Sequence, residues 1–244
     1  MRLKRLFTAT LFALISTFAF AIVPDNDKIF AQIHDSSSPF YYPNLMMRYQ
    51  AGDTLTEEEY HYLYYGFAYQ SAYRPLNSNP GMTKVQNIMA RLAIDTPSIS
   101  DIDELIAACT EAMESDPFSP KLLNIMAYAY GTTGDSIREK MYADHLAAIL
   151  KTIADSGTGE KEKEPMHIIM FSHGTDLIAS KSIGYRKGQI MSRTVEFVPF
   201  DRPRDRVKGY YFDYSRIYWN KPENYTFKRE RTWQFNNLKP QEYK

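Results

Sequence analysis

The chain has 244 residues, with 29 basic and 29 acidic side chains and a formal net charge of zero. That overall balance does not favour a nucleic-acid binder, which wants an excess of basic charge. A single cysteine, Cys109, excludes an intramolecular disulfide framework, so packing must supply the stability.

Residues 1–21 read MRLKRLFTATLFALISTFAFA: Arg2, Lys4 and Arg5, then an apolar run, then Ala19-Phe20-Ala21. A charged start, an apolar middle and a small-x-small end describe a secretory leader cut after Ala21. The apolar run is shorter than the roughly 20 residues needed to span a bilayer. No later stretch is apolar enough to do so, and the mature chain is expected not to cross a membrane. Removal of the leader leaves 26 basic residues against 29 acidic ones, a net charge of −3. The expected location is the periplasm or the extracellular space.

Residues 22–38 read as a lead-in linker with room for a short helix, and Tyr42-Pro43 as a restart in extended form. Thr56-Glu57-Glu58-Glu59 begins a helix to about residue 70, with Thr56 and Glu59 as a capping box and Leu55 against Tyr60 as a staple. Its apolar faces carry Tyr60, Leu63, Tyr64 and Phe67, with Tyr62, Tyr65 and Tyr69 beside them. Residues 75–81 form a loop and 83–92 a short helix. Further helices are predicted over 101–115 (capped by Ser100), 120–131 and 136–155. Cys109 sits on the apolar stripe of the first of these, between Leu105 and Ala112, and reads as a buried small hydrophobe.

The polar run 156–164 (SGTGEKEKE) is the expected internal boundary, separating a helical region over 39–156 from a β-rich region over 165–218 packed on it. Within the second, 165–171 reads as a strand, and 189–198 and 207–218 as strands with a charged turn at 201–206 between them. Residues 219–244 form a polar, aromatic tail. Helices followed by strands give an α+β fold, a helical array followed by a small antiparallel sheet.

Ser172-His173-Gly174-Thr175-Asp176 is the one place where nucleophile, base and acid types adjoin. Catalytic triads assemble from distant positions, so a strand end turning into a helix capped by Thr175 or Asp176 is the better reading. His167 and His173, on one continuous strand, would stand about 20 Å apart. One ion binds at about 2.1 Å per ligand, so no metal site is expected. No cofactor motif occurs. Asn224-Tyr225-Thr226 matches a glycosylation triplet by composition alone.

Tyr41-Tyr42-Pro43-Asn44-Leu45-Met46-Met47-Arg48-Tyr49, Gly52-Asp53-Thr54-Leu55-Thr56, Tyr60-x-x-Leu63-Tyr64-Tyr65-Gly66-Phe67 and Tyr211-Phe212-Asp213-Tyr214-Ser215 resemble the family called domain of unknown function 4919. The resemblance covers roughly residues 38–218 and implies an exported protein of the kind found in gut Bacteroidetes. It implies no activity and no site residues. The middle also resembles a tetratricopeptide repeat: Ala112 lies five residues before Pro117, and Leu123, Ala127, Tyr130 and Gly134-Asp135 follow at repeat spacing.

Stacked helices with 19 tyrosines in the chain suggest a non-enzymatic scaffold that binds an envelope protein or peptide, or a glycan. The candidate contacts are Tyr41, Tyr42, Tyr49, His61, Tyr62, Tyr65, Tyr69 and Asp213, with some of the tyrosines expected to be exposed on one concave surface. The alternative is a glycan-directed hydrolase or glycan-binding protein. An enzyme would draw its groups from Glu58, His61, His173, Asp176 and Asp213.

Overall fold

The computed structural model describes residues 21–93 and 98–219; residues 1–20 of the leader, the tail beyond 219 and the Asn224 triplet lie outside them. The architecture is α+β, with helices preceding and packing against a small four-stranded sheet.

Asp25 caps α1 (Asn26–His34) through hydrogen bonds from the N–H groups of Asp27 and Lys28. The expected linker thus contains a helix that buries Ile29 and Ile33 in the core. The extended start expected at Tyr42-Pro43 is instead the first turn of α2 (Tyr42–Ala51). The fixed φ of Pro43 suits a helical start, and Tyr42, Leu45 and Tyr49 at helical spacing are buried. Helix α3 (Glu57–Gly66) has the capping box read from its sequence, with Glu59 N–H on the Thr56 hydroxyl and Thr56 N–H on the Glu59 carboxylate.

Helix α4 (Pro80–Leu92) is capped by Asn79. Helix α5 (Ile99–Ser115) is capped by Ser98 with Asp101 closing the box, two residues earlier than the sequence expectation at Ser100. Both serines have an aspartate three residues on, and the chain uses the first. Helices α6 (Pro120–Thr133) and α7 (Ser136–Asp155) follow, with Gly134 in the left-handed conformation between them.

The 156–164 segment is tied into its neighbours: Ser156 is buried and accepts from His167 N–H, and Tyr211 N–H donates to the Gly159 carbonyl. The strand expected at 165–171 is only β1 (Met166–His167). Its apolar run continues through buried Ile168 to Met170 and then enters α8 (Phe171–Ser180). Strands β2 (Gln189–Ile190), β3 (Val195–Arg204) and β4 (Val207–Asp213) complete the sheet in the order β1-β4-β3-β2. The sheet is mixed, correcting the antiparallel expectation: β1 runs parallel to β4. The connection from β1 reaches β4 through α8 and the β2–β3 segment, long enough for a parallel crossover.

One core joins α1, α2, α3, α7 and α8 to the sheet; a second fills the space between α4, α5 and α6. Buried Arg216 donates to the Pro24 carbonyl at 3.0 Å and to Asn26, and stacks on Tyr65 and Trp219. It ties the start of α1 to the segment after β4. Among the described residues no helix is long and apolar enough to cross a membrane.

Candidate functional site

Asp116 and Pro117 end α5, because the residue before a proline is disfavoured in the helical region. Asp116 therefore sits at a chain reversal, next to the start of α6. His173 lies in the first turn of α8, and Tyr64 projects from α3. These three residues, far apart in sequence, meet in the interior. Tyr64 Oη is 2.8 Å from His173 Nδ1, and His173 Nε2 is 3.2 and 3.1 Å from the two Asp116 oxygens. Ile169 N–H donates to the Tyr64 hydroxyl oxygen. The consistent proton assignment has Tyr64 O–H donating to Nδ1 and Nε2–H donating to the carboxylate. His173 is fully buried with both nitrogens used, so it cannot touch a ligand. It positions Asp116.

Asp116 lines a cleft of about 390 Å³. The polar loop before α4 supplies Arg74 and Asn77, α6 supplies Lys121, and α8 supplies Ser172 and Asp176. Phe171 and Tyr185 offer partly exposed rings at its edge, 43% and 42% accessible. Lys121, Asp176 and Tyr185 also line an adjoining hollow of about 690 Å³. Helical spacing puts Asp176 one turn beyond His173 on α8.

Burial pushes the Asp176 carboxyl above its ordinary range; Asp116 adds to this, while His173, the Lys121 ammonium and the Lys121 backbone N–H oppose it. Its Oδ2 is shielded from solvent and has no hydrogen-bond partner among the described residues. Two carboxylates thus line one cleft in different settings, Asp116 fixed by an imidazole N–H and Asp176 under-satisfied. Such a pair accepts hydrogen bonds from ligand hydroxyls or amines, and its asymmetry is also what acid–base chemistry requires.

A second hollow, of about 300 Å³ between α3 and α7, includes His61, whose imidazole burial and Arg216 depress to about 4. Of its three acids, Glu57 and Asp155 are paired with Lys151, at 3.5 and 2.6 Å, and Asp144 with Lys140 at 2.6 Å.

The residues singled out from the sequence fall elsewhere. Tyr42, Tyr49 and Tyr65 are buried; Tyr41, Tyr62 and Tyr69 are half-buried, and none of the six is exposed. Tyr49 donates to the Pro117 carbonyl and stacks on His145; Tyr65 donates to the His167 carbonyl and Tyr69 to that of Asn26. Tyr62 stacks on Phe40 at 4.1 Å. Tyr42, Tyr49 and Tyr65 place their rings in the core and Tyr62 and Tyr69 pack against it; Tyr49, Tyr65 and Tyr69 spend their hydroxyls on carbonyls, while the Tyr42 hydroxyl has no hydrogen-bond partner among the described residues. Asp213 accepts from Thr194 and twice from Ser215, with His167 Nδ1 at 3.6 Å. Of the proposed enzymatic set, His173 and Asp176 share α8; Glu58 is exposed on α3. Thr175 and Asp176 lie within α8 and do not cap it; Met170 occupies that position without a side-chain cap. Asp116, Lys121 and Arg74 were not legible as site residues, since Asp116 reads only as a helix terminator.

A family model described as Domain of unknown function (DUF4919) matches residues 27–222. The chain belongs to this family. The DUF4919 match contains every residue that lines the cleft. No curated protein and no solved structure matches the chain. Among the described residues, no three His, Cys, Asp or Glu side chains are grouped to hold a metal ion.

Proposed function

We propose that this DUF4919 protein is an exported, non-enzymatic binding protein of the bacterial envelope, and that its ligand, a peptide or glycan segment, sits over Asp116 and Asp176. The leader-like residues 1–21 support export. The observation that carries the binding reading is the buried, unpartnered Oδ2 of Asp176 at a polar cleft. Buried acceptors in native proteins are normally satisfied, and a ligand hydroxyl or ammonium would supply the donor. The cleft lining mixes donors (Arg74, Lys121, Asn77) with acceptors and exposed rings, which suits a polyhydroxylated or peptide-like ligand better than an apolar one.

The raised Asp176 carboxyl beside Asp116 favours a second reading, the glycan-directed hydrolase. Asp176 would then be the protonated acid and Asp116 the base. Screening residues 22–244 against glycan and peptide panels by calorimetry, with assay for released reducing ends, separates the two. Saturable binding without turnover supports the binding protein; turnover lost in Asp176→Asn supports the hydrolase; neither binding nor turnover across the panels counts against the cleft as a ligand site.

A further inference from the structure

Charge is distributed unevenly along the chain. Residues 181–208 carry eight cations (Lys181, Arg186, Lys187, Arg193, Arg202, Arg204, Arg206 and Lys208) against Glu196, Asp201 and Asp205, a net charge of +5. The other 216 residues therefore carry −5, since the whole chain is neutral. All eight cations are exposed.

The fold gathers them. Residues 181–191 run along β3 as the outer edge of the sheet: Arg204 donates to the Lys181 carbonyl, Arg186 N–H to Pro199 and Met191 N–H to Val195. Strand β2 is the terminal strand of the sheet order. Among the described residues Arg186 alone of the eight meets a carboxylate, Asp201 at 3.9 Å. Cations on an edge strand discourage strand pairing between molecules. That accounts for Arg186 and Lys187 but not for the cations on the paired strands β3 and β4. The same edge exposes two aliphatic side chains, Ile190 at 39% and Met191 at 45%.

We propose that the sheet edge 181–208 docks on an anionic phospholipid bilayer, the cations at the headgroups and Ile190 and Met191 in the interface. Clustered Lys and Arg draw a protein to anionic lipid, and apolar tips beside them add burial that a soluble anionic polymer could not use. The site meets the carboxylate cleft at Tyr185, but its cations and its apolar pair lie outside the cleft lining.

The test is co-sedimentation of residues 22–244 with vesicles of equal parts phosphatidylglycerol and phosphatidylcholine, against phosphatidylcholine alone. Binding to the mixed vesicles only, falling as salt is raised, is expected. The triple variant Arg202→Glu, Arg204→Glu, Arg206→Glu should weaken it by about tenfold or more. Ile190→Ser with Met191→Ser should weaken vesicle binding while leaving retention on a sulfated polysaccharide resin unchanged. Equal binding to both vesicle types, no vesicle binding, retention on the resin alone, or indifference to the apolar pair would overturn the proposal. The salt series on the unaltered chain decides the electrostatic part even where a variant fails to fold.

Discussion

At Asp213 several donors converge on one half-buried carboxylate. Burial works against its ionisation, but the nearby His167 imidazole and the Ser215 hydroxyl and N–H outweigh that and hold it at about 2, from 3.8. A depressed carboxyl stabilises the fold at every pH above its unfolded value, and the contribution disappears as pH falls from about 4 to 2. A shift of this size is worth about 2 kcal/mol. Asp213→Asn should therefore lose about that much stability at neutral pH. The gap from the unaltered chain should close on acidification, as denaturant melts across that pH range would show. The sequence marked Asp213 as an acid within an aromatic strand, either solvent-facing or networked. It did not disclose the network, because Thr194 and His167 come from different segments.

Two elements carry local features that make direct predictions. The turn between β3 and β4 is the pair Asp205-Arg206, both at positive φ (51° and 70°). A two-residue hairpin loop needs left-handed conformers at both positions, which Asn-Gly adopts most readily. Replacing the pair by Asp205→Asn and Arg206→Gly should relieve about 1 kcal/mol and raise the melting temperature. In α4, Gly81 sits so close to α5 that an added Cβ would lie 2.5 Å from the Ala112 backbone nitrogen. Gly81→Ala should force the helices apart and cost about 1–3 kcal/mol in denaturant unfolding. Helices with strong caps and periodic stripes were legible in the sequence, and α7 agrees with its predicted span. Helix α2 was not, because a proline at a first turn looks the same as a proline after an extended residue. The strand expected at 165–171 failed because a short apolar run reads equally as a strand and as the buried approach to a helix.

Over the whole molecule, α1, α2, α3, α7 and α8 share one core with the sheet, α4, α5 and α6 pack round a second, and Arg216 ties the start of α1 to the segment after β4. The α+β class was visible in the succession of patterns. The mixed sheet was not, since the direction of β1 depends on a pairing with β4 about 45 residues away. The candidate site was half legible: His173 and Asp176 lie in one motif, but Asp116 joins them only through the packing of α5, α6 and α8. The tyrosines read differently in the fold: Tyr42, Tyr49 and Tyr65 are buried in the core, and Tyr41, Tyr62 and Tyr69 are half-buried.

The most direct measurement is a paired melt and ligand titration of Asp176→Asn at neutral pH, using a ligand found in the glycan and peptide panels. Asparagine resembles the protonated carboxyl, the form that burial favours at this position. A binding residue held at a cost to the fold gives a variant as stable as the unaltered chain or more so, by up to about 1 kcal/mol, that has lost its ligand. A variant that is less stable, or that binds as well as before, would contradict the placement of the ligand at Asp176.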